Sequence, residues 1–498
     1  MRAYLSVSCK EGIVEFAKKL EGLKWEIVAT GNTAKTLIEA GVKVINSSEI
    51  TGFEELLGGR VKSLHPDIFA SILAKEGERE NLNYPAFDLV AVDLYHIENY
   101  LGKNIDIETL QENIDIGGVA LLRAGAKNYQ NVIVISDPKD YDIDIENISI
   151  EKRSELALKA FQKTASYDAI VYDVLSANLK DEKLRDFEHL TLEKEGELRY
   201  GENPHQAAGL YKNTGEEFID YEVLNGKALS YNNILDTTAA INIVSDFFDV
   251  CACAIIKHTN PCGVALAPTM EEAWDKALDC DPLSAFGGIV AFSKPINEEI
   301  AKKLTAMFLE VIVAPDFSDE AIKLFKTKKN LRVIKLNTPL EVIKNTQGKE
   351  YHYTPFGVLV QEKDTKELDP KDFKVVTKQK PTQEQVEDMI FAFKVARHVK
   401  SNAIVIAKDL RTLGICGGQT SRVGALEVAL QRVCDSPKDA IVASDGFLPA
   451  IDNVEVAVQN RIAGIIQPGG SIKDADVIAA ADKYGLSMIT TGIRHFKH

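Results

Sequence analysis

The sequence predicts an α/β protein, with a doubly wound parallel sheet at the amino-terminal end and further α/β blocks towards the carboxyl-terminal end. Three observations carry this. Through the first third, short apolar runs alternate with helix-period segments, the pattern of strands covered on both faces by crossover helices. In the middle, Ala252-Cys253-Ala254-Ile255-Ile256-Lys257-His258-Thr259-Asn260-Pro261-Cys262-Gly263 is an apolar run that stops abruptly at a lysine and a histidine. After Pro355-Phe356-Gly357 another series of helix and strand patterns begins.

In chain order, apolar runs predict strands over 4–7, 26–29, 42–45, 89–92 and 132–135, and helical spacing predicts helices over 12–20, 33–40 and 118–126. From 175 to 197 the composition turns Lys-, Asp- and Glu-rich with little core pattern, which reads as a polar helix and puts a domain boundary near 193–197. The expected domains are 1–195 and 196–498. Asn260-Pro261 and Gly263 are read as the end of the central strand, and Thr269-Met270-Glu271-Glu272 as a capping box opening a helix over 271–278. Lys257 and His258 are therefore expected in a loop after a strand, where α/β proteins commonly hold ligands. Strands over 289–292, 311–313 and 403–407 and a helix over 383–394 complete the pattern, and no internal repeat stands out.

A length of 498 residues implies several cores. Hydrophobic content of 45% and charged content of 27% suit a soluble globular protein, and no apolar run approaches the roughly 18 residues that span a membrane. The amino-terminal residues enter a strand pattern instead of a signal sequence, so a cytoplasmic location is expected. Seven scattered cysteines argue against a disulfide framework. The net charge of −16 disfavours nucleic acid as a partner, while leaving small anions open, because local loops can outvote the global charge.

Several segments have the residue types of a binding site. Ser6-Val7-Ser8-Cys9-Lys10 and Thr30-Gly31-Asn32-Thr33 are strand-to-helix turns whose amides and hydroxyls could cradle a phosphate; taken alone, each reads more readily as a helix cap. Gly58-Gly59-Arg60-Val61-Lys62-Ser63 sets two cations beside flexible glycines, and Asp115-Ile116-Gly117-Gly118 opens a short apolar helix with a carboxylate. Histidine moves protons near neutral pH, and an adjacent lysine can support developing negative charge, although a lone Lys-His pair is commonly just a strand end.

Together, Ser6-Val7-Ser8, Val61-Lys62-Ser63-Leu64-His65-Pro66, Asn113-Ile114-Asp115-Ile116-Gly117-Gly118, Leu198-Arg199-Tyr200-Gly201-Glu202-Asn203-Pro204-His205-Gln206, Lys257-His258-Thr259-Asn260-Pro261-Cys262-Gly263 and Ser444-Asp445-Gly446-Phe447 closely resemble the bifunctional purine-biosynthesis enzymes. These formylate aminoimidazolecarboxamide ribotide (AICAR) and then close the ring of the formylated product (FAICAR) to inosine monophosphate. The resemblance covers essentially the whole chain. It implies a methylglyoxal-synthase-like cyclohydrolase domain, and a transformylase domain of two cytidine-deaminase-like halves at about 196–355 and 356–498, in a homodimer using 10-formyltetrahydrofolate. It assigns cyclisation to Lys62, Tyr95, Asp115 and Lys127, around a ligand held by Ser8, Lys10, Thr30, Gly31, Asn32, Thr33, Arg60, Ser63 and Ile116. A straight helix would separate Asp115 from Lys127 by roughly 18 Å, so either a break at Gly125 or contacts at different ends of the ligand is expected.

For formyl transfer the resemblance assigns His258 as proton acceptor and Lys257 as its electrostatic support. Arg199, Tyr200, Gly287, Glu310, Asn402, Arg422 and Arg494 would hold the ribotide, and Val423, Phe447, Asp452, Ser471 and Ile472 the folate. Cys9, Asp93 and Glu310 depart from the family's usual aspartate, asparagine and aspartate. A zinc hydrolase using Cys251, Cys253, Cys262 and His258 is the competing reading, but the deaminase signature needs His-x-Glu and Pro-Cys-x-x-Cys, and both second members are missing. No transition metal is expected. A non-catalytic nucleotide sensor would use the phosphate loops without the Lys-His pair.

Overall fold

β1 (Arg2–Val7) occupies the middle of a five-stranded sheet, with β2 (Glu26–Ala29) and β3 (Val44–Asn46) on one side and β4 (Leu89–Asp93) and β5 (Ile133–Ile135) on the other. Every adjacent pair is parallel. All five residues of β4 are buried, as a sheet covered on both faces requires. The winding reverses between β3 and β4, so the crevice outside the carboxyl ends of β1 and β4 is the topological switch point. The computed structural model describes residues 1–498 except 102, 104, 180–183, 215, 217 and 435. Two compact units emerge, Met1–Glu193 with Lys212–Glu216, and Lys194–Tyr211 with Glu217–His498.

In this region the structure removes one of two alternatives for Asp115 and Lys127, the break at Gly125, and overturns one further expectation. The helix Gly117–Lys127 runs unbroken through Gly125, which is small because the helix lies tight on the sheet: a Cβ there would sit 3.3 Å from Val134 Cγ2 and 3.5 Å from Val90 Cβ. The charged stretch after 175 is not one polar helix either. The helix Ile150–Leu179 ends, residues 180–183 lie outside the described residues, and β6 (Leu192–Leu198) pairs with β7 (Ala208–Asn213) in a two-stranded ribbon.

The larger unit is built on a twelve-stranded mixed sheet that contains the same arrangement twice. In the first half the antiparallel hairpin β9 (Cys251–Lys257) and β10 (Asn260–Ala267) lies beside β11 (Ile289–Phe292), β12 (Val311–Ala314) and β13 (Arg332–Leu336), with β8 (Tyr221–Asn225) at the edge. The ribbon β14 (Lys349–Thr354) and β15 (Gly357–Glu362) follows. In the second half β16 (Lys374–Val375) is the edge, and the hairpin β17 (Ile404–Lys408) and β18 (Arg411–Cys416) lies beside β19 (Ile441–Ser444), β20 (Gly464–Gln467) and β21 (Ser487–Thr490). β10 and β18 join the halves. Side chains alternate between faces: Ala254, Ile256, Ala291, Phe391, Val405 and Ala443 share one core across both halves, whereas on the other face each half has its own.

The central run is therefore not a strand that ends in a loop. His258 and Thr259, at φ +53° and +61°, form a two-residue turn, and Asn260–Ala267 returns as a second strand. Primed two-residue turns match the twist of paired strands, and Pro261 and Gly263 flank a register shift instead of stopping the ladder. Asp409 and Leu410 turn the second hairpin at φ +53° and +54°. Left-handed backbone is costly for residues with a Cβ, roughly 1–2 kcal/mol each. The helix 271–278 appears as Met270–Leu278, with Thr269 Oγ1 accepting from the Glu272 amide.

Gly263 and Gly414 mark where a covering helix touches each hairpin: an added Cβ would lie 1.9 Å from Ala277 O and 2.2 Å from Ala429 O respectively. Both neighbours are backbone and cannot move aside. Gly263→Ala and Gly414→Ala are expected to lower the thermal midpoint sharply or to yield insoluble protein, beyond the roughly 1–3 kcal/mol of ordinary overpacking. Gly77→Ala, with nothing within 4 Å, is the control and should leave the melting curve in place.

Candidate functional site

The smaller unit gathers most of the sequence-derived cyclohydrolase set at the switch point. Ser8 follows β1, and the helix Gly31–Glu39 begins directly after β2 with Thr30 as its first flanking residue. Ser6 Oγ lies 3.2 Å from Thr30 Oγ1, the Val7 amide donates to Thr33 Oγ1 at 3.1 Å, and Lys10 Nζ reaches Thr33 Oγ1 at 3.2 Å and the Val7 carbonyl. Gly31 is left-handed (φ +45°), and a Cβ there would be 2.8 Å from Glu55 Oε1 and 3.7 Å from Lys62 Nζ. This brings the Lys62 ammonium close to the turn that carries Asn32. Arg60 itself pairs with Glu112 at 3.1 Å.

Ser63 Oγ would be 2.6 Å from a Cβ at Gly117, so that loop also meets the start of the helix Gly117–Lys127. There Asp115 Oδ1 accepts from the Gly118 amide at 2.7 Å, and the Asp115 amide donates to the Tyr167 hydroxyl at 2.7 Å. Burial pushes the Asp115 carboxyl up, opposed by the Gly118 amide and by Lys62, while burial and Lys62 push the Lys10 ammonium down. Tyr95 and Ile116 are exposed. Lys127 ends the same helix, about 15 Å along its axis from Gly117; the structure does not join it to Asp115. The departures Cys9 and Asp93 touch, the Cys9 amide donating to Asp93 Oδ2 at 2.9 Å. A separate cleft of about 550 Å³, lined by Cys9, Phe16, Asp93, Ser136 and Tyr141, takes in none of the other site residues.

In the larger unit the tip of the β9–β10 hairpin is the focus. Lys257 Nζ donates to the carbonyls of Phe286 (2.8 Å) and Gly287 (3.1 Å). Gly287 has φ +68°, and a Cβ there would lie 3.2 Å from Lys257 Nζ, so the glycine lets the lysine in. Asp236 Oδ1 accepts from the Thr259 amide at 2.6 Å, and Asn233 Nδ2 donates to Glu310 Oε2 at 2.9 Å. Burial raises the Asp236 carboxyl against the Thr259 amide and His258. A cleft of about 340 Å³ opens at the tip, lined by Lys257, His258, Asn260, Lys400, Gln419 and Arg432, with no carboxylate among its described lining residues.

Arg422 is buried, donating to Ser444 Oγ and Asn402 Oδ1, each at 2.7 Å, and to Asp445. It holds the Asn402 side chain instead of standing free. Arg494 lies over the Phe496 ring at 4.3 Å. The folate candidates collect on the second half: Val423 in the first turn of the helix Arg422–Gln431, Phe447 after β19, Asp452 at the start of the helix Asp452–Gln459, and Ser471 and Ile472 after β20. Ile472 is fully exposed. Among the described residues no hydrogen bond links this set to Lys257 or His258. Arg199 stacks on Tyr200 at 5.4 Å beside the turn closed by the Asn203 amide on Gln206 Oε1 at 2.9 Å.

Sequence reasoning missed Asp236, Asn233, Lys400, Arg432 and Glu55. The polar run Ser230-Tyr231-Asn232-Asn233, closed by a capping box from Ser230 to Asn233, was the available signal for the first two. Burial pushes the Cys262 thiol up to about 12 and the Cys253 thiol well above its usual value. Among the described residues no three His, Cys, Asp or Glu side chains are grouped as a metal site.

The curated relatives match over the full length of the chain. The chain is 46% identical over 518 residues to the bifunctional purine biosynthesis protein PurH of Persephonella marina, covering 100% of this chain and 99% of that protein. It is 47% identical over 517 residues to the protein of the same name from a Thermoanaerobacter species, with the same coverage. A solved structure titled "Crystal structure of ForH" is 35% identical over 36% of this chain and 99% of that one, with a TM-score of 0.34. An MGS-like domain matches residues 12–120, and the description "AICARFT/IMPCHase bienzyme" matches residues 125–432, more than half of the sequence. The chain belongs to the AICARFT/IMPCHase bienzyme family.

Proposed function

We propose that this bifunctional enzyme of purine biosynthesis divides its two reactions between its two units, formyl transfer in the larger and ring closure in the smaller. The observation that carries the reading is the Lys257-His258 hairpin tip, with the lysine drawn against two carbonyls and the histidine at an acid-free cleft. His258 takes a proton from the 5-amino group of AICAR as its nitrogen attacks the formyl carbon of 10-formyltetrahydrofolate. Lys257 supports the oxyanion, and the folate nitrogen leaves with a proton. Glu310, Gly287, Asn402 and Arg494 are candidates to hold the ribotide, and Phe447, Asp452 and Ile472 the folate.

In the smaller unit the carboxamide nitrogen of FAICAR attacks the formyl carbon and water leaves, giving inosine monophosphate. Lys62, Tyr95 and Asp115 are the groups placed to exchange protons and hold the oxyanion, with Ser8, Lys10 and Thr30 to Thr33 on the phosphate. Lys127, at the other end of the helix Gly117–Lys127, is the fourth candidate and would meet a different end of the ligand from Asp115. Small-molecule substrates, a homodimer, no nucleic acid, no transition metal and the cytoplasm complete the reading.

Purified protein treated with a chelator should keep both activities and sediment as a dimer; stoichiometric zinc required for formyl transfer, or a fully active monomer, contradicts it. His258→Ala should cut formyl transfer on the order of 100-fold while leaving cyclisation of supplied FAICAR intact, and Lys62→Ala should do the reverse. Loss of both activities in a folded His258→Ala protein would refute the division.

The raised Asp115 carboxyl also has a stability consequence. Its ionised form is disfavoured in the folded state, so the cost is absent below its ordinary value of 3.8 and complete once pH exceeds the folded value. Asp115→Asn keeps an acceptor for the Gly118 amide and should raise the melting temperature at pH 7, with the gain fading towards pH 3.8, while cyclisation is lost. A lower melting temperature at pH 7 would show that the charge stabilises the site.

A further inference from the structure

We propose that Asp236 is a positioning residue for formyl transfer, gripping the His258–Thr259 turn so that His258 leaves the hairpin tip in one orientation. This rests on the reading of His258 as the proton acceptor. The turn needs holding because both residues are left-handed, at φ +53° and +61°, and neither is glycine. Asp236, on the helix Tyr231–Ser245, accepts from the Thr259 amide at 2.6 Å, and the His258 amide donates towards the same carboxylate. The Asn260 side chain closes the turn from the other side, donating to the His258 carbonyl at 2.9 Å. One helical turn before Asp236, Asn233 is tied to Glu310, so the helix face that holds the histidine also holds a ribotide candidate.

The second half contains the same device without the chemistry. Asp388 stands six residues after the cap Thr382, as Asp236 stands six after the cap Ser230. Its two oxygens accept from the Asp409 amide at 3.1 Å and the Leu410 amide at 2.7 Å, gripping a turn at φ +53° and +54°. That turn carries no histidine. The grip is thus part of the repeated architecture, and in the first half it bears on a catalytic group. The pair therefore supplies an internal control for a purely structural role.

The test measures kcat and KM for formyl transfer, cyclisation of supplied FAICAR, and the melting temperature for four variants of the full chain. Asp236→Ala should lower kcat roughly 30-fold or more, with KM for AICAR within about 3-fold, since misplacing a catalytic group chiefly affects the chemical step. Asp236→Asn keeps an acceptor and should recover most of kcat. Asp388→Ala should lower the melting temperature comparably yet leave kcat within about twofold. Cyclisation should be unchanged in all three. The inference is overturned if Asp236→Ala keeps its kcat, if Asp388→Ala loses as much, or if Asp236→Asn is as impaired as Asp236→Ala. His258→Ala is run alongside: retained formyl transfer there overturns the proton-acceptor reading itself, a result distinct from the other three. Should Asp236→Ala fail to fold, Asp236→Glu, which keeps the charge and displaces the acceptor by one methylene, takes its place. The same loss of kcat supports the inference and full activity refutes it.

Discussion

The larger unit depends on one seam, the antiparallel meeting of β10 with β18. The Leu266 amide donates to the Leu410 carbonyl at 2.9 Å, and Thr412 Oγ1 bridges the backbone of Val264, accepting from its amide at 3.0 Å and donating to its carbonyl at 3.2 Å. Without this seam the two halves would each expose a hairpin edge, an invitation to mispairing; with it they form one twelve-stranded sheet and one shared core face. Because the seam is antiparallel, the start of β10 lies near the end of β18. The His258 tip consequently faces the glycine-rich segment Gly417-Gly418-Gln419, and the two together line one cleft.

A second interaction ties the halves on the shared face. Asp246, just past the helix Tyr231–Ser245, accepts from Arg397 at 2.6 and 2.8 Å and meets His398 Nε2 at 2.7 Å. Burial pushes Asp246 up, but His398 and Arg397 outweigh it and hold the carboxyl below its usual value. Both partners come from just past the end of the pseudo-equivalent helix Gln383–Ala396, and burial pushes the His398 imidazole down, towards its neutral form. Buried ion pairs add little net stability but are costly to break, so this one penalises any misaligned packing of the halves.

Local electrostatics run against the global charge at both sites. A chain of net charge −16 presents Lys257, Lys400 and Arg432 around a cleft with no described carboxylate, and brings Lys10 close enough to Lys62 for the two to repel. Such concentrations attract small anions at short range, while the surrounding negative field discourages long polyanions. Asp115 and Asp236 are both carboxylates that burial makes reluctant to ionise, each accepting backbone amides at a point where the chain bends.

The sequence by itself determined the parallel sheet of the smaller unit, because strands buried on both faces are largely apolar, and β2, β4 and β5 fall within one residue of the bounds that pattern marks. It also supplied the candidate residues of both sites through motifs that are short and contiguous, such as Lys257-His258. The primed turn at His258–Thr259 was not legible, since neither residue is the asparagine or glycine that usually signals left-handed backbone, and the turn is held by a carboxylate more than twenty residues away. The repeat within the larger unit was expected only through the family resemblance and did not stand out in the residues themselves; the structure shows Gly263 answering Gly414 and Asp236 answering Asp388. Only the tertiary structure decided that Gly125 packs a helix instead of breaking it and that Arg422 serves Asp445 and Asn402. Those outcomes depend on which surfaces meet, and a contact between elements far apart in the chain leaves no local signature in either one.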